Sequence, residues 1–313
     1  MITLAALPVV VSVLLGVSGP ALARLVSGRV ATLLLTVLAL VGALSVGLVV
    51  CAVGCLAVAQ WAPFAALGSW SPATVSAHDP LPLWLDISCA VVASVLVCAS
   101  VLQLGALVRR LTRSVRLCRR LGAEHSGTLV VLDDDRADAY ALAGLPGRTV
   151  VTRAMLQALS GPERRALLAH ETSHVARYHF AFVGLVQLAA AANPCLRPLV
   201  PAVGLAVERW ADEDAVRAVA DRSLVATALA RAGLARRAVA VPSGALAAVA
   251  SDLDVRVRSL EHPQATSLRT GLGVAVMTVV AVGCAASSAD LGLHLHNLIE
   301  WAQSMRTSGA PRR

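Results

Sequence analysis

Four stretches of this chain carry no charged side chain: Met1 to Ala23, Val30 to Ala77, Ile87 to Val108 and Thr270 to Ala289. Each supplies the ~20 apolar residues that cross a bilayer as a helix. The second is longer, and Trp61 marks where it should reach the membrane interface, because an amphipathic ring suits that depth. The whole chain of 313 residues is 57% hydrophobic and only 15% charged, far from the composition of soluble domains. A multi-span helical membrane protein is the expected class. Its spans fall at about 1–23, 31–60, 86–108 and 270–289 on the span-length criterion.

The basic residues are all arginine and the net charge is +8. They cluster beside a predicted span, in "RRLTRSVRLCRR" from Arg109 to Arg120, rather than among stacking aromatics, which make up 3% of the chain. That pattern favours anionic lipid headgroups over nucleic acid as the partner, and no direct nucleic-acid contact is expected. The loop from Trp61 to Asp86 has no arginine, so the positive-inside rule puts the N-terminus outside and Arg109 to Arg269 in the cytoplasm. Ala21-Leu22-Ala23 has the form of a signal-peptidase site. The start "MIT" lacks the positive charge of a signal peptide, however, and cleavage would reverse the arginine placement, so the first span is expected to be retained. Five of the seven cysteines lie in apolar spans and no CxxC occurs, which indicates neither a disulfide framework nor a thiolate metal site.

The chain therefore divides into a membrane region at 1–108, a cytoplasmic domain at 109–268, and a fourth span with a short tail at 269–313. Within the domain, Thr128 to Leu132, Ala139 to Ala143 and Arg148 to Thr152 read as short strands between acidic and Gly/Pro turns. Ser160 can cap a helix with Pro162 and Glu163 in its first turn. That helix carries "HETSH": His170 and His174 lie one turn apart on one face and can meet one ion. Glu171 could then hold an attacking water.

The five-residue pattern is short, and a catalytic zinc needs a third protein ligand. "AVERWADEDAV" supplies a candidate in Glu208, with Asp212 one turn on to accept the N–H of a ligating imidazole. The bland reading makes Glu208, Asp212, Glu213 and Asp214 a solvated acidic face. The segment between His174 and Glu208 is nearly apolar. One crossing would separate the ligands by a bilayer, and 34 residues are too few for the ~40 that two crossings require. It is expected in the domain core or on the membrane surface, with a turn at Asn193-Pro194.

The HETSH helix, the apolar stretch with its Asn-Pro, the E-x-x-A-D helix, and the order of three spans, zinc domain and fourth span resemble the BlaR/MecR-type membrane metallopeptidases. The resemblance implies an α+β fold, with a mainly helical zincin-like domain carrying a small β-sheet. It implies one Zn²⁺ per chain held by His170, His174 and Glu208, with Glu171 as base and Asp212 orienting a histidine, His170 by preference. "DAYA", from Asp138 to Ala141, is similar to an edge strand that pairs with substrate backbone in related gluzincins, although an ordinary strand before a turn would read the same way. Arg256 or His262 would help stabilise the oxyanion. His179, little more than one turn past His174, could support a ligand from behind, but a core or surface histidine is the favoured reading; His294 and His296 fall on the far side of the membrane. The best-known family members carry a penicillin-binding sensor after the last span. The segment after Ala289 is short, so the likeness is to sensorless forms and β-lactam sensing is not expected.

The expected activity is zinc-dependent cleavage of a protein substrate, a cytoplasmic repressor or the enzyme itself, at a bacterial inner membrane. Two alternatives stand beside it. One is a non-catalytic zinc-binding signal transducer, which would have no need of Glu171. The other is a CAAX-type or heat-shock-type membrane zinc peptidase, which generally has more spans or a longer insertion before the third ligand.

Overall fold

The computed structural model describes residues 2–79, 81–124, 126–237, 254–261 and 268–307. Two long apolar helices, α1 (Ile2–Leu25) and α2 (Gly28–Ala59), open the chain. Two short helices follow, α3 (Ala62–Gly68) and α4 (Pro72–His78), and then α5 (Leu83–Glu124). α1, α2 and α5 are each long and apolar enough to cross a membrane. α5 runs unbroken through the expected domain boundary at 108, and its six arginines from Arg109 to Arg120 are all exposed along its continuation.

The sheet contains β1 (Leu129–Leu132), β2 (Ala139–Leu142) and β3 (Arg148–Thr152) in the order β1-β3-β2. β1 runs parallel to β3. β2 is antiparallel, with Tyr140 opposite Val150. β2 is thus an edge strand, and its free edge faces the helices that follow. These are α6 (Arg153–Ala158), α7 (Gly161–Ala176), α8 (His179–Ala192), a 3₁₀ turn (Pro194–Leu196), α9 (Leu199–Val219), α10 (Arg222–Arg237), α11 (254–261) and α12 (Leu268–Thr307). The expected fourth span at 270–289 lies inside α12, which packs along α2 and α1. The α+β fold with a helical catalytic region and several long apolar helices is as expected.

One expectation is corrected. The apolar segment between the ligands is buried, but its core is shared with the two N-terminal helices and is not internal to residues 109–268. α8 and the first half of α9 form a hairpin against the first two spans, where Val186, Ala189, Leu196, Leu199 and Val203 share one buried cluster with Leu15, Leu35, Leu38 and Ala39. The turn does fall at Asn193-Pro194. Asn193 accepts the Cys195 N–H at 3.2 Å and donates to the carbonyl of Gly42, in the middle of α2, at 3.4 Å. Helical bonding and a side-chain cap satisfy the hairpin's backbone, which an apolar setting demands. Gly16 makes the approach feasible: a Cβ there would collide with the backbone carbonyl of Cys195.

At the other end of α1, buried Arg209 donates to the carbonyls of Ala23 and Val26 at 2.8 and 3.0 Å. A Cβ on Gly28 would meet the backbone of Ala206 and Trp210. α9 is therefore seated on the α1–α2 junction one residue away from Glu208.

Candidate active site

α7 begins with a capping interaction in which Ser160 N–H donates to Glu163 at 2.8 Å, as the sequence predicts. Ten residues on, α7 presents His170, Glu171 and His174 to a cleft of about 1140 Å³. α9 presents Glu208 from the opposite wall. The two Nε2 atoms of His170 and His174 are 3.2 Å apart, and Glu208 lies 3.4 Å from the first and 3.6 Å from the second. Two donors each ~2.0–2.1 Å from one tetrahedral centre would be about 3.4 Å apart. The three residues are a candidate metal-holding group. Two imidazole nitrogens this close repel unless a proton or a cation lies between them. The donor set, two histidines and one carboxylate with room for water, is one that zinc takes in catalytic sites.

Beyond the donors, Asp212 Oδ1 is 2.9 Å from His170 Nδ1, on the side of the ring away from Nε2. Asp212 is itself gripped by Arg256 from α11, through Nε at 2.8 Å and Nη2 at 2.7 Å, while Nη1 lies 3.1 Å from Glu208. The structure thus sets Arg256 against two carboxylates. His262 falls outside the described residues. The acidic run is not one solvated face. Glu208 and Asp212 turn into the site, Glu213 pairs with Arg222 at 2.8 Å, and Asp214 accepts from Ser173 of α7 at 2.7 Å.

These contacts set the charge states of the metal-free site. Burial opposes a charge on His170, but Asp212 and Glu208 outweigh it and push its pKa up to about 9. Burial and the neighbouring His170 drive His174 down to about 3. Glu208 is held well below the usual carboxylate range: burial works against this, but His170 and Arg256 prevail. Burial raises the Glu171 carboxyl, against the pull of His170 and Arg236, in the direction a general base near neutrality requires.

The edge strand borders the same cleft, with Asp138, Ala139, Tyr140 and Ala141 along one wall. The sequence reading missed Arg236 at the end of α10. Its Nε donates to Asp138 at 2.9 Å, Nη2 donates to the Ala139 carbonyl and lies 3.7 Å from Glu171. Nothing in a run of polar and apolar helix residues marks one arginine for such a place. His294 and His296 pair with Asp290 and Glu300 on α12 and take no part.

A helix bearing two imidazoles and an adjacent glutamate, facing a second helix with a third donor, defines a metallopeptidase-type site. Residues 106–232 match the family model described as Peptidase family M48. Peptidases of that family are zinc-dependent. The match takes in His170, Glu171, His174, Glu208 and Asp212 and ends before Arg256. No curated protein and no solved structure matches the chain.

Proposed function

We propose that the chain is a membrane-bound zinc endopeptidase whose active site faces the cytoplasm and whose substrate is a protein. The observation that carries this is the meeting of His170, His174 and Glu208 around one point beside the buried Glu171. When bound there, zinc would polarise a scissile carbonyl and acidify a water. Glu171 takes the proton of the attacking water and returns it to the leaving amine. The free edge of β2 at Asp138 to Ala141 holds substrate backbone by strand addition. Arg256, and His262 with it, are the proposed helpers at the developing oxyanion.

The finer likeness we propose is to a BlaR/MecR-type peptidase that cleaves a cytoplasmic repressor or itself in signalling. It rests on the order of spans and motifs, not on the family match. A CAAX-type or heat-shock-type peptidase would use the same donor set and would differ in its spans, in the insertion before the third ligand and in its substrate. Identifying the protein that accumulates when Glu171 is replaced separates these readings. The bacterial inner membrane and the cytoplasmic orientation are supported by exposed arginines on α5 and by the site's place at the α1–α2 junction. Reporter fusions at Gln157 should behave as cytoplasmic and those at Ala73 as external. The reverse pattern would overturn the orientation.

Purified protein should hold about one zinc per chain and Glu208→Ala should strip it. Glu171→Gln should keep the zinc while hydrolysis falls ~10²–10⁴-fold. A signal output that survives Glu171→Gln yet fails in Glu208→Ala would make the zinc domain a binding module and end the peptidase reading.

A further inference from the structure

The two ligand histidines are not held alike. His170 leans on Asp212 and, through it, on Arg256. His174 has no carboxylate at its Nδ1. Among the described residues, the partner there is His179, with the two Nδ1 atoms 3.1 Å apart. α7 stops at Ala176 and Tyr178 takes a left-handed conformation (φ 52°, ψ 41°). α8 then leaves at 55° to α7. On a continuous helix a residue five positions on would lie well around the cylinder from His174. The break brings it back. His179 is 1% exposed, its ring edge-on to His174 (centroids 4.9 Å, 85°) and packed at 4.9 Å on the Trp210 ring of α9.

We propose that His179 is the positioning residue for His174, accepting the His174 Nδ1–H and so fixing the tautomer that presents Nε2 to the metal. The inference rests on the zinc reading above. A neutral imidazole has one donor and one acceptor nitrogen. If His174 gives its Nε2 lone pair to a metal, its Nδ1 carries hydrogen, and the nitrogen facing it must accept. His179 then carries its own hydrogen on Nε2, a buried nitrogen that finds no partner among the described residues and belongs to a residue lining the cleft. The chemical sense lies in charge. A carboxylate behind each histidine would add a further negative charge to those of Glu208 and Asp212 and blunt the ion's pull on a carbonyl. A neutral acceptor orients the ring without that cost.

The rival account is a core histidine that merely fills space beside Trp210, and two substitutions separate them. His179→Asn places an amide oxygen near the position of Nδ1 but gives up the ring. His179→Phe keeps the ring against Trp210 and has no acceptor. Zinc affinity of the full chain in detergent is measured by competition with a chromophoric chelator. The visible spectrum of the cobalt-substituted protein reports ligand geometry. Positioning predicts that His179→Phe weakens zinc binding by about 10–100-fold, the usual effect of losing such a partner, with an altered cobalt spectrum, while His179→Asn stays within about threefold of the parent. Wild-type affinity in His179→Phe would overturn the proposal. If His179→Phe does not fold, His179→Leu takes its place: a loss of about tenfold or more in His179→Leu with His179→Asn near the parent supports positioning, and parent-like affinity in both rejects it. A parent protein that holds no zinc would instead bring down the metal reading.

Discussion

α9 has two halves of opposite chemistry. From Leu199 to Val207 it is apolar and packs on α1 and α2, where Gly19 and Gly28 leave room for close contact. From Glu208 to Asp214 it faces α7 and α11 through ion pairs and hydrogen bonds. The first half is a matter of shape: lipid tails are as apolar as leucine, so helices in that setting are held by fit rather than by escape from water. The second is a matter of charge, in which each buried group requires a partner. The two halves should therefore fail differently when altered, one in stability and the other in metal chemistry.

The largest effect on this division comes from the seat. Leu199 is fully buried and lies against the position of Gly19, so Leu199→Ala should cost about 2–5 kcal/mol of stability. Zinc bound per folded chain should not change. Thermal unfolding in detergent with metal analysis of the folded fraction tests this, and metal loss from folded chains would break the division. On the other side, Asp212→Asn should lower zinc affinity ~10–100-fold, where Leu199→Ala leaves it unchanged. A chelator titration of both variants would show whether the contrast holds.

The smallest effect is a pH dependence. With its pKa raised to about 9, His170 in the metal-free protein holds a proton at neutral pH, whereas His174, near 3, does not. Zinc must expel the His170 proton, so affinity should rise about tenfold per pH unit and level off near pH 9. Calorimetry in buffers of different ionisation enthalpy should find close to one proton released at pH 7. No release would mean that Asp212 and Glu208 do not hold a charge on the ring.

Much of the site was legible because its signals are local. The capped start of α7, the one-turn spacing of His170 and His174, and that of Glu208 and Asp212 each depend on helix periodicity alone. The three strands, too, fall within a residue of their predicted ends, because Gly/Pro and acidic turns bound them. The hairpin's location was not legible, since apolarity shows that a segment is buried and not what buries it. His179 stood out only as the lesser of two readings, for another reason. Its approach to His174 depends on a left-handed residue at Tyr178, a conformation that sequence usually advertises with glycine or asparagine.

Arg209 lies next to Glu208 on α9 and closes off the last turn of α1. Any ligand that binds only the folded site stabilises everything folded along with it. At a zinc concentration ~100 times its dissociation constant, the gain would be about 2.7 kcal/mol. Because the arginine ties the α1–α2 junction to the helix that supplies the third donor, part of that gain reaches the membrane helices. Their melting in detergent should then depend on zinc concentration, although no residue of α1 or α2 touches the ion.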